Sequence, residues 1–364
     1  MAITRRSLGS ALTVGVLAAP AMARAADPAP GALLSSRFIY DDAPYPQAHA
    51  STIVQVADGG LGAAWFGGTH EKHPDVCIWF ARSREEGWDT PIQVADGVQP
   101  DGARHPTWNP VLFQPAGGPL VLFYKVGPDP FSWWGMVTES TDGGRSWATP
   151  RRLPDGVLGP IKNKPVVLAD GAWLSPSSTE AGEGMGADAG AGWRLHFERS
   201  EDQGRTWTLT DPVASPLNID AIQPSVLDHG EGVLQAVARA RQGALAATWS
   251  RDGGRTWGPL SAVDLPNPNS GTDAVTLADG RHLLVYNHAA HNPETPGKGP
   301  RWPLNLALSE DGVVWRNVLT LETEPVPAGY AYPAVIQADD GRVHLTWTHD
   351  RRRIRHAVVD PSRL

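Results

Sequence analysis

A short pattern that returns along the chain limits the possible folds more than any other feature. Ser140–Trp147 reads Ser-Thr-Asp-Gly-Gly-Arg-Ser-Trp, Ser200–Trp207 reads Ser-Glu-Asp-Gln-Gly-Arg-Thr-Trp, and Ser250–Trp257 reads Ser-Arg-Asp-Gly-Gly-Arg-Thr-Trp. Ser309–Trp315 is a copy one residue short, and Ser83–Trp88 (Ser-Arg-Glu-Glu-Gly-Trp) is a worn one. The starting serines follow one another at intervals of 50 to 60 residues. A sustained period of this size belongs to propellers and solenoids, in which neighbouring units share a core that none could bury alone. Asp-Gly turns a chain tightly because both residues tolerate positive φ, and Ser and Asp side chains accept hydrogen bonds from the turn's own amides. The closing Trp offers a large apolar surface to neighbouring strands. Each copy is therefore read as a turn with its anchor, a structural element rather than a chemical one.

Between the copies one grammar repeats: strand, Gly-containing turn, strand, variable loop, strand, the pattern, and a fourth segment. The first unit runs through His49–Val54, a turn at Asp58-Gly59-Gly60, Leu61–Phe66 and Asp75–Ser83. Others open near Arg104 and Asn109, near Lys162, at Ala221–Val226 and at Thr272–Val275. A sixth, Tyr332–Ile336, Val343–Thr348 and Ile354–Val359, carries no copy of the pattern. Its missing outer strand is expected from Arg37-Phe38-Ile39-Tyr40, which would close the ring and remove an exposed edge.

The first 25 residues read as a separate export signal. Thr4-Arg5-Arg6-Ser7-Leu8-Gly9 is a twin-arginine pattern, followed by an apolar run over Ala11–Ala19 and small-residue cleavage patterns ending at Ala23 and Ala25. The run is shorter than the ~20 residues of a membrane span, so export to the periplasm or medium without a tether is expected, with residues 26–364 forming one domain. The 39 Gly, 33 Pro and 15 Trp of the chain suit many short strands with punctuated turns. The single cysteine, Cys77, can form no intrachain disulfide, and its apolar surroundings Val76-Cys77-Ile78-Trp79 read as core. A net charge of −8 argues against a nucleic-acid partner. No nucleotide or flavin motif is visible, so no cofactor is expected. Glu71, His73 and Asp75 are ligand types at a spacing that matches no standard zinc site.

The repeated pattern resembles the Asp-box (BNR) repeats of the sialidase superfamily, and the resemblance covers essentially all of residues 26–364. It implies an all-β, six-bladed propeller, acting as a monomer, with the boxes on the face away from the active site. The inspection then falls on residues that open each first strand or precede each third strand. These are His49, Glu71, His73 and Asp75; Arg104, His105, Trp108 and Asn109; Lys162, Asn163 and Lys164; Gln223, Arg239 and Arg241; Asp273, His288 and Arg301; and Tyr330 and Tyr332. Convergence of Arg104, Lys162, Lys164, Arg239, Arg241 and Arg301 on one face suits an anionic ligand held by guanidinium forks, and a carboxylate-bearing sugar is the natural candidate. Trp108, Trp133 and Trp134 are available to stack on such a sugar, although tryptophans of a propeller more often fill its core.

Sialidases grip a carboxylate with three arginines and use a tyrosine nucleophile, a glutamate that assists it and an aspartate acid/base. The resemblance places Tyr332 as the nucleophile, Arg301 and Arg239 or Arg241 in the grip, and Asp75 or Glu71 as the acid/base. Two positions depart: His49 stands where the first-blade arginine would, and Gln223 where the glutamate would. A phenol titrates near ~10, so without a carboxylate to take its proton Tyr332 would be a poor nucleophile at neutral pH, whereas a histidine can exchange protons near pH ~7. Substrate contacts are also expected from Arg104, Asn109, Lys162, Trp108 and Asp273. The leading expectation is a sialidase-like glycoside hydrolase acting on an acidic terminal sugar. The alternatives are a polysaccharide lyase using His49 and Tyr332 on uronate linkages, and a carbohydrate-binding propeller without catalysis.

Overall fold

The computed structural model of the protein describes residues 31–180, 192–292, 294–295 and 297–364. The expected export signal lies outside the described residues. Gly- and Asp-rich turns divide the described chain into strands that form six four-stranded antiparallel sheets. Blade one comprises β2 (Gln47–Gln55), β3 (Leu61–Gly68), β4 (Cys77–Arg82) and β5 (Ile92–Ala95), in that spatial order. Blade two comprises β6 (Thr107–Phe113), β7 (Leu120–Val126), β8 (Trp134–Ser140) and β9 (Arg151–Arg152). Blade three has β10 (Val166–Val167), β11 (Trp173–Thr179), β12 (Arg194–Ser200) and β13 (Thr208–Leu209). Blade four has β14 (Ala221–Asp228), β15 (Leu234–Ala240), β16 (Ala244–Ser250) and β17 (Ser261–Pro266). Blade five has β18 (Asp273–Thr276), β19 (His282–Asn287), β20 (Leu304–Ser309) and β21 (Arg316–Glu322). First strands pack beside one another around the axis in blades four, five, six, one and two, blade three meets β14 through β11, and β2 meets β22 (Tyr330–Gln337) to complete the six-bladed propeller.

Blade six adds β23 (Val343–His349) and β24 (Arg353–Val359), and its outer strand comes from the amino-terminal side as β1 (Leu33–Phe38). β1 runs antiparallel to β24, from Leu33 opposite Val359 to Phe38 opposite Arg355. The closing strand thus starts and ends earlier than the expected Arg37–Tyr40. Tyr40 leaves the ladder because its ring stacks on Trp65 in the core of blade one, 5.1 Å between centroids. The pairing leaves no bare edge on β24.

The repeated pattern lies at the turn from third to fourth strand, and its Ser and Asp side chains are bonded within the turn itself. In the copy at Ser250, the serine hydroxyl accepts from Gly254 N at 2.9 Å, while Asp252 accepts from Thr256 N at 2.9 Å and from Thr256 Oγ1 at 2.6 Å. The copies at Ser140 and Ser200 repeat these contacts. The copy at Ser309 lacks the hydroxyl residue, and Asp311 accepts instead from Val313 N and Val314 N, each at 2.8 Å. The tryptophans anchor on the preceding blade: Trp147 meets Phe80, Trp207 meets Phe123, and Trp257 stacks flat on Phe197 at 3.8 Å. Such a pair contributes about 1 kcal/mol beyond the area it buries.

Candidate active site

At the opposite end of the ring, where first strands begin and second strands end, the repeat is broken in a regular way. β2, β6, β14 and β22 each carry a bulge, marked by register shifts at His49/Thr52, Trp108/Val111, Ile222/Ser225 and Ala331/Ala334. Each bulge holds one non-glycine residue at positive φ: Ala50 at 56°, Asn109 at 38°, Gln223 at 59° and Tyr332 at 49°. A side chain held left-handed costs about 1–3 kcal/mol and persists where its surroundings over-determine it. Here proline follows three of the four, as Pro110, Pro224 and Pro333. Asn163 Nδ2 also donates to Gln223 O at 2.9 Å, and Ser51 Oγ lies 3.4 Å from Tyr332 O. The gain is direction, because the bulges bring the side chains of Gln223 and Tyr332 together across the axis.

Gln223 Nε2 donates to Tyr332 Oη at 3.2 Å and Arg239 Nη1 donates to the same oxygen at 3.5 Å. The guanidiniums of Arg239 and Arg301 lie 5.6 and 6.0 Å from the Tyr332 ring centroid. His49 tilts against that ring at 4.3 Å, its Nδ1 lies 3.2 Å from Thr348 Oγ1, and its Nε2 is buried without a partner. Gln223 Oε1, Arg239 Nε and Arg301 Nη1 are likewise buried and unpartnered. Four such atoms around one phenol are unusual, since buried polar groups are nearly always satisfied. Burial, reinforced by the charges of Arg351, Arg301, Arg239 and Lys162, holds the His49 imidazole well below its ordinary value, so it is neutral at neutral pH. Burial also lowers Arg301, with Arg239 and Arg351 adding to the effect.

Two further arginine contacts converge on Trp193, whose ring lies 5.2 Å from the Arg239 guanidinium and 4.2 Å from that of Arg241. Glu180 follows β11 one step beyond the paired Thr179 and Arg194, opposite Trp193. Burial raises its carboxyl, and Arg239 and Arg241 only partly offset this. Glu71 reaches the same region from the β3–β4 loop and pairs with Arg351 at 2.7 Å. Sequence reasoning did not single out Glu180, Trp193 or Arg351. Glu180 and Arg351 occupy the loop after a second strand, the same place in the repeat as Glu71 and Arg301.

Other expected site residues have different company. Asp75 accepts from Thr69 N at 2.9 Å and pairs with His73 at 2.7 Å. Partial burial opposes its ionisation, but the bonds from Thr69 and His73 outweigh it and hold the carboxyl below its ordinary range. Arg104 is exposed and lies against Cys77 Sγ and Asp75 O, at 3.3 and 3.5 Å. Trp108 is 2% exposed, packed against Trp133 and Phe66 with its indole N–H on Gly127 O, so neither face is free for a sugar. Trp134 faces a separate cavity of about 660 Å³ lined also by Tyr124 and Arg152. Asn109 sits buried at its bulge.

Lys162 and Asp273 are expected to touch substrate, but their contacts make them braces. Lys162 Nζ donates to Asn163 Oδ1 and Thr272 O at 2.9 Å and to Pro333 O, so its donors are used on blades three, five and six. Burial pushes its ammonium down to about 7. Asp273 is 2% exposed and accepts from Ser225 Oγ and Val335 N, each at 2.9 Å, while Lys164 pairs with it at 3.0 Å. One carboxylate thereby joins blades three, four, five and six. Among the described residues, no three His, Cys, Asp or Glu side chains are grouped to hold a metal ion, and no helix is long and apolar enough to cross a membrane.

Known proteins support this geometry at the level of fold. A structure from Dyadobacter fermentans, a protein of unknown function, superposes with a TM-score of 0.72 at 18% identity, over 90% of this chain and 98% of that one. The NanB sialidase of Streptococcus pneumoniae gives 0.67 at 13% identity, over 90% and 71% of the two chains. The leech intramolecular trans-sialidase gives 0.67 at 14%, over 90% and 70%. No curated protein sequence matches the chain. The family model of the BNR repeat-like domain matches residues 59–345. The chain belongs to the BNR repeat-like domain family.

Proposed function

We propose that the protein is an exported, sialidase-like glycoside hydrolase that acts on a terminal sugar bearing a carboxylate. The observation that carries this reading is the Tyr332 hydroxyl, which accepts from both Gln223 and Arg239 beside the Arg301 guanidinium. Arg239 and Arg301 would hold the carboxylate with forked hydrogen bonds, and Tyr332 would attack the anomeric carbon. Its proton needs an acceptor that Gln223, an amide, cannot be. In this reading His49 takes it: with Nδ1 carrying the ring proton toward Thr348, Nε2 presents a lone pair on a ring that packs against Tyr332. The departing oxygen needs a protonated carboxyl, and Glu180, raised by burial, suits that better than the ionised Asp75. The twin-arginine pattern at Arg5-Arg6 supports action outside the cytoplasm.

The same His49 favours a second reading, a lyase in which its neutral imidazole removes the proton beside a uronate carboxylate and Tyr332 protonates the leaving oxygen. Products separate the two. Purified protein incubated with sialosides and uronate-containing glycans is expected to release a reducing acidic sugar, seen by mass spectrometry. Tyr332→Phe is expected to lower kcat about a thousandfold or more while the protein stays folded. An ultraviolet-absorbing unsaturated uronate would favour the lyase, and no product from any glycan would favour a binding propeller. Full turnover in both Tyr332→Phe and His49→Ala would remove this site from consideration.

A further inference from the structure

We infer that Arg351 is part of the carboxylate site beside Tyr332, and that the Glu71 carboxylate sits on it as an internal stand-in which the ligand displaces. The inference rests on the reading above and deepens it. Arg351 lies in the hairpin between β23 and β24, where Asp350 and Arg351 both adopt positive φ, at 52° and 57°. Its main chain is fixed from two sides, with Ala48 N donating to Arg351 O at 2.8 Å and Asp350 N donating to Gly329 O at 3.0 Å. The position of this guanidinium is therefore set by blades one and six together.

The guanidinium pairs with Glu71 across that junction at 2.7 Å, and the pair lies beside His49, Phe66 and Val76. Both side chains remain partly open to solvent, 26% for Arg351 and 35% for Glu71. The charge of Arg351 acts on His49 ahead of those of Arg301 and Arg239, and it also acts on Arg301. The charges of three guanidiniums thus act on one neutral imidazole. Glu71, which arrives on a loop from the rim, offsets their repulsion, and its negative charge is felt at both Arg301 and Glu180. A ligand carboxylate has the same charge and the same two oxygens. Exchange of one for the other leaves the charge of the wall unchanged, and a partly exposed ion pair resists such exchange only weakly. The ligand class that follows is a monocarboxylate sugar, because the internal occupant supplies one carboxylate.

The consequence is counterintuitive: removing an acidic residue at this end should tighten, by a modest factor, the binding of an acid. The test is calorimetric titration of the intact protein with N-acetylneuraminate and with D-glucuronate, with D-glucose as the uncharged control. Glu71→Gln is expected to bind the preferred acid about fivefold more tightly than wild type. Glu71→Asp, which keeps the charge, should stay near wild type, and Arg351→Gln should bind about tenfold more weakly. The double variant should match Arg351→Gln alone, since the gain exists only while Arg351 is present to be freed. Thermal melting of each variant establishes that it is folded. Equal or weaker binding by Glu71→Gln, with Arg239→Gln still weakened, overturns the stand-in and leaves the site standing. Binding by wild type that Arg239→Gln does not weaken counts against the functional reading itself, and binding of neither acid by any variant overturns both.

Discussion

The two ends of the propeller are made from the same repeat, yet the aspartates of one are satisfied within their own turns while a cluster of polar side chains at the other is not. At the end with the Ser-x-Asp turns, each aspartate accepts from its own turn, as Asp252 does from Thr256 and Asp142 from Ser146. These bonds, first from the Ser146 hydroxyl and amide, hold the Asp142 carboxyl well below the usual range. At the other end, His49 Nε2, Gln223 Oε1, Arg239 Nε and Arg301 Nη1 are buried without partners. A closed account recurs because it stabilises, whereas an open one needs some other reason to persist, and a ligand's polar groups would provide it. The contrast also separates redundancy from uniqueness. Four similar clips hold one end, and a single carboxylate, Asp273, ties four blades at the other.

That contrast can be broken most forcefully at Asp273. Asp273→Ala removes the acceptor of Ser225, Val335 and Lys164 at once and leaves the Lys164 ammonium without its partner. Loss of one member of such a buried pair typically destabilises by about 3–5 kcal/mol. Urea unfolding should show a loss of this size together with loss of activity, because Val335 is three residues from Tyr332 in β22. A loss under about 1 kcal/mol would mean that the ring does not depend on this brace.

How much of this was legible in the sequence follows from how local each feature is. The Ser-x-Asp turns make their bonds within eight residues, so each of the four marks its own module without reference to the rest of the chain. Tyr332, Gln223, Arg239, Arg301 and His49 were legible because each opens a first strand or borders a second-to-third strand loop, a position the repeat itself defines. Lys162 and Asp273 occupy the same kind of position, and from sequence a buried brace and a ligand contact look alike. The distinction lies in the partners, Thr272 O and Pro333 O for Lys162, which only the closed ring supplies. Trp108 offers no open stacking surface for a similar reason, since it is buried against Trp133 and Phe66. Arg351 was hidden inside the basic run Arg351-Arg352-Arg353, although the repeat places it where Arg301 stands in the blade before.

A smaller effect tests the turn end through its histidines. His356 and His282 are buried there, His356 against His344 and His282 against His229. Burial, helped by the second histidine of each pair, pushes His356 down to about 3 and His282 down to about 4. The unfolded chain takes up a proton at each near pH ~6.5 while the folded one does not, so stability is unaffected above that pH and falls as the pH drops below it. Between pH ~6.5 and ~5 each ring should lower stability by about 2 kcal/mol. Urea midpoints measured at the two pH values should therefore differ, and His356→Phe should shrink the difference. An unchanged difference would show that the acid sensitivity resides elsewhere, the site end with His49 being the next place to look.

The smallest expected effect bears most directly on the difference between the two ends. Asp252→Ala removes one clip of four, leaving Thr256 and the turn amides to water, since Asp252 is exposed. By analogy with the loss of a helix cap, which also frees amides near solvent, the change should lower stability by about 1 kcal/mol. Trp257 remains stacked on Phe197, so the blade contact beneath the turn persists. Activity toward the preferred glycan should be unchanged, because no bond of Asp252 reaches the Tyr332 cluster. A drop in kcat without a drop in stability would mean that the two ends communicate through blade four, whose β15 carries Arg239 from the turn end to the site. In that case the division between a sealed end and an open one would describe the static contacts but not the working protein.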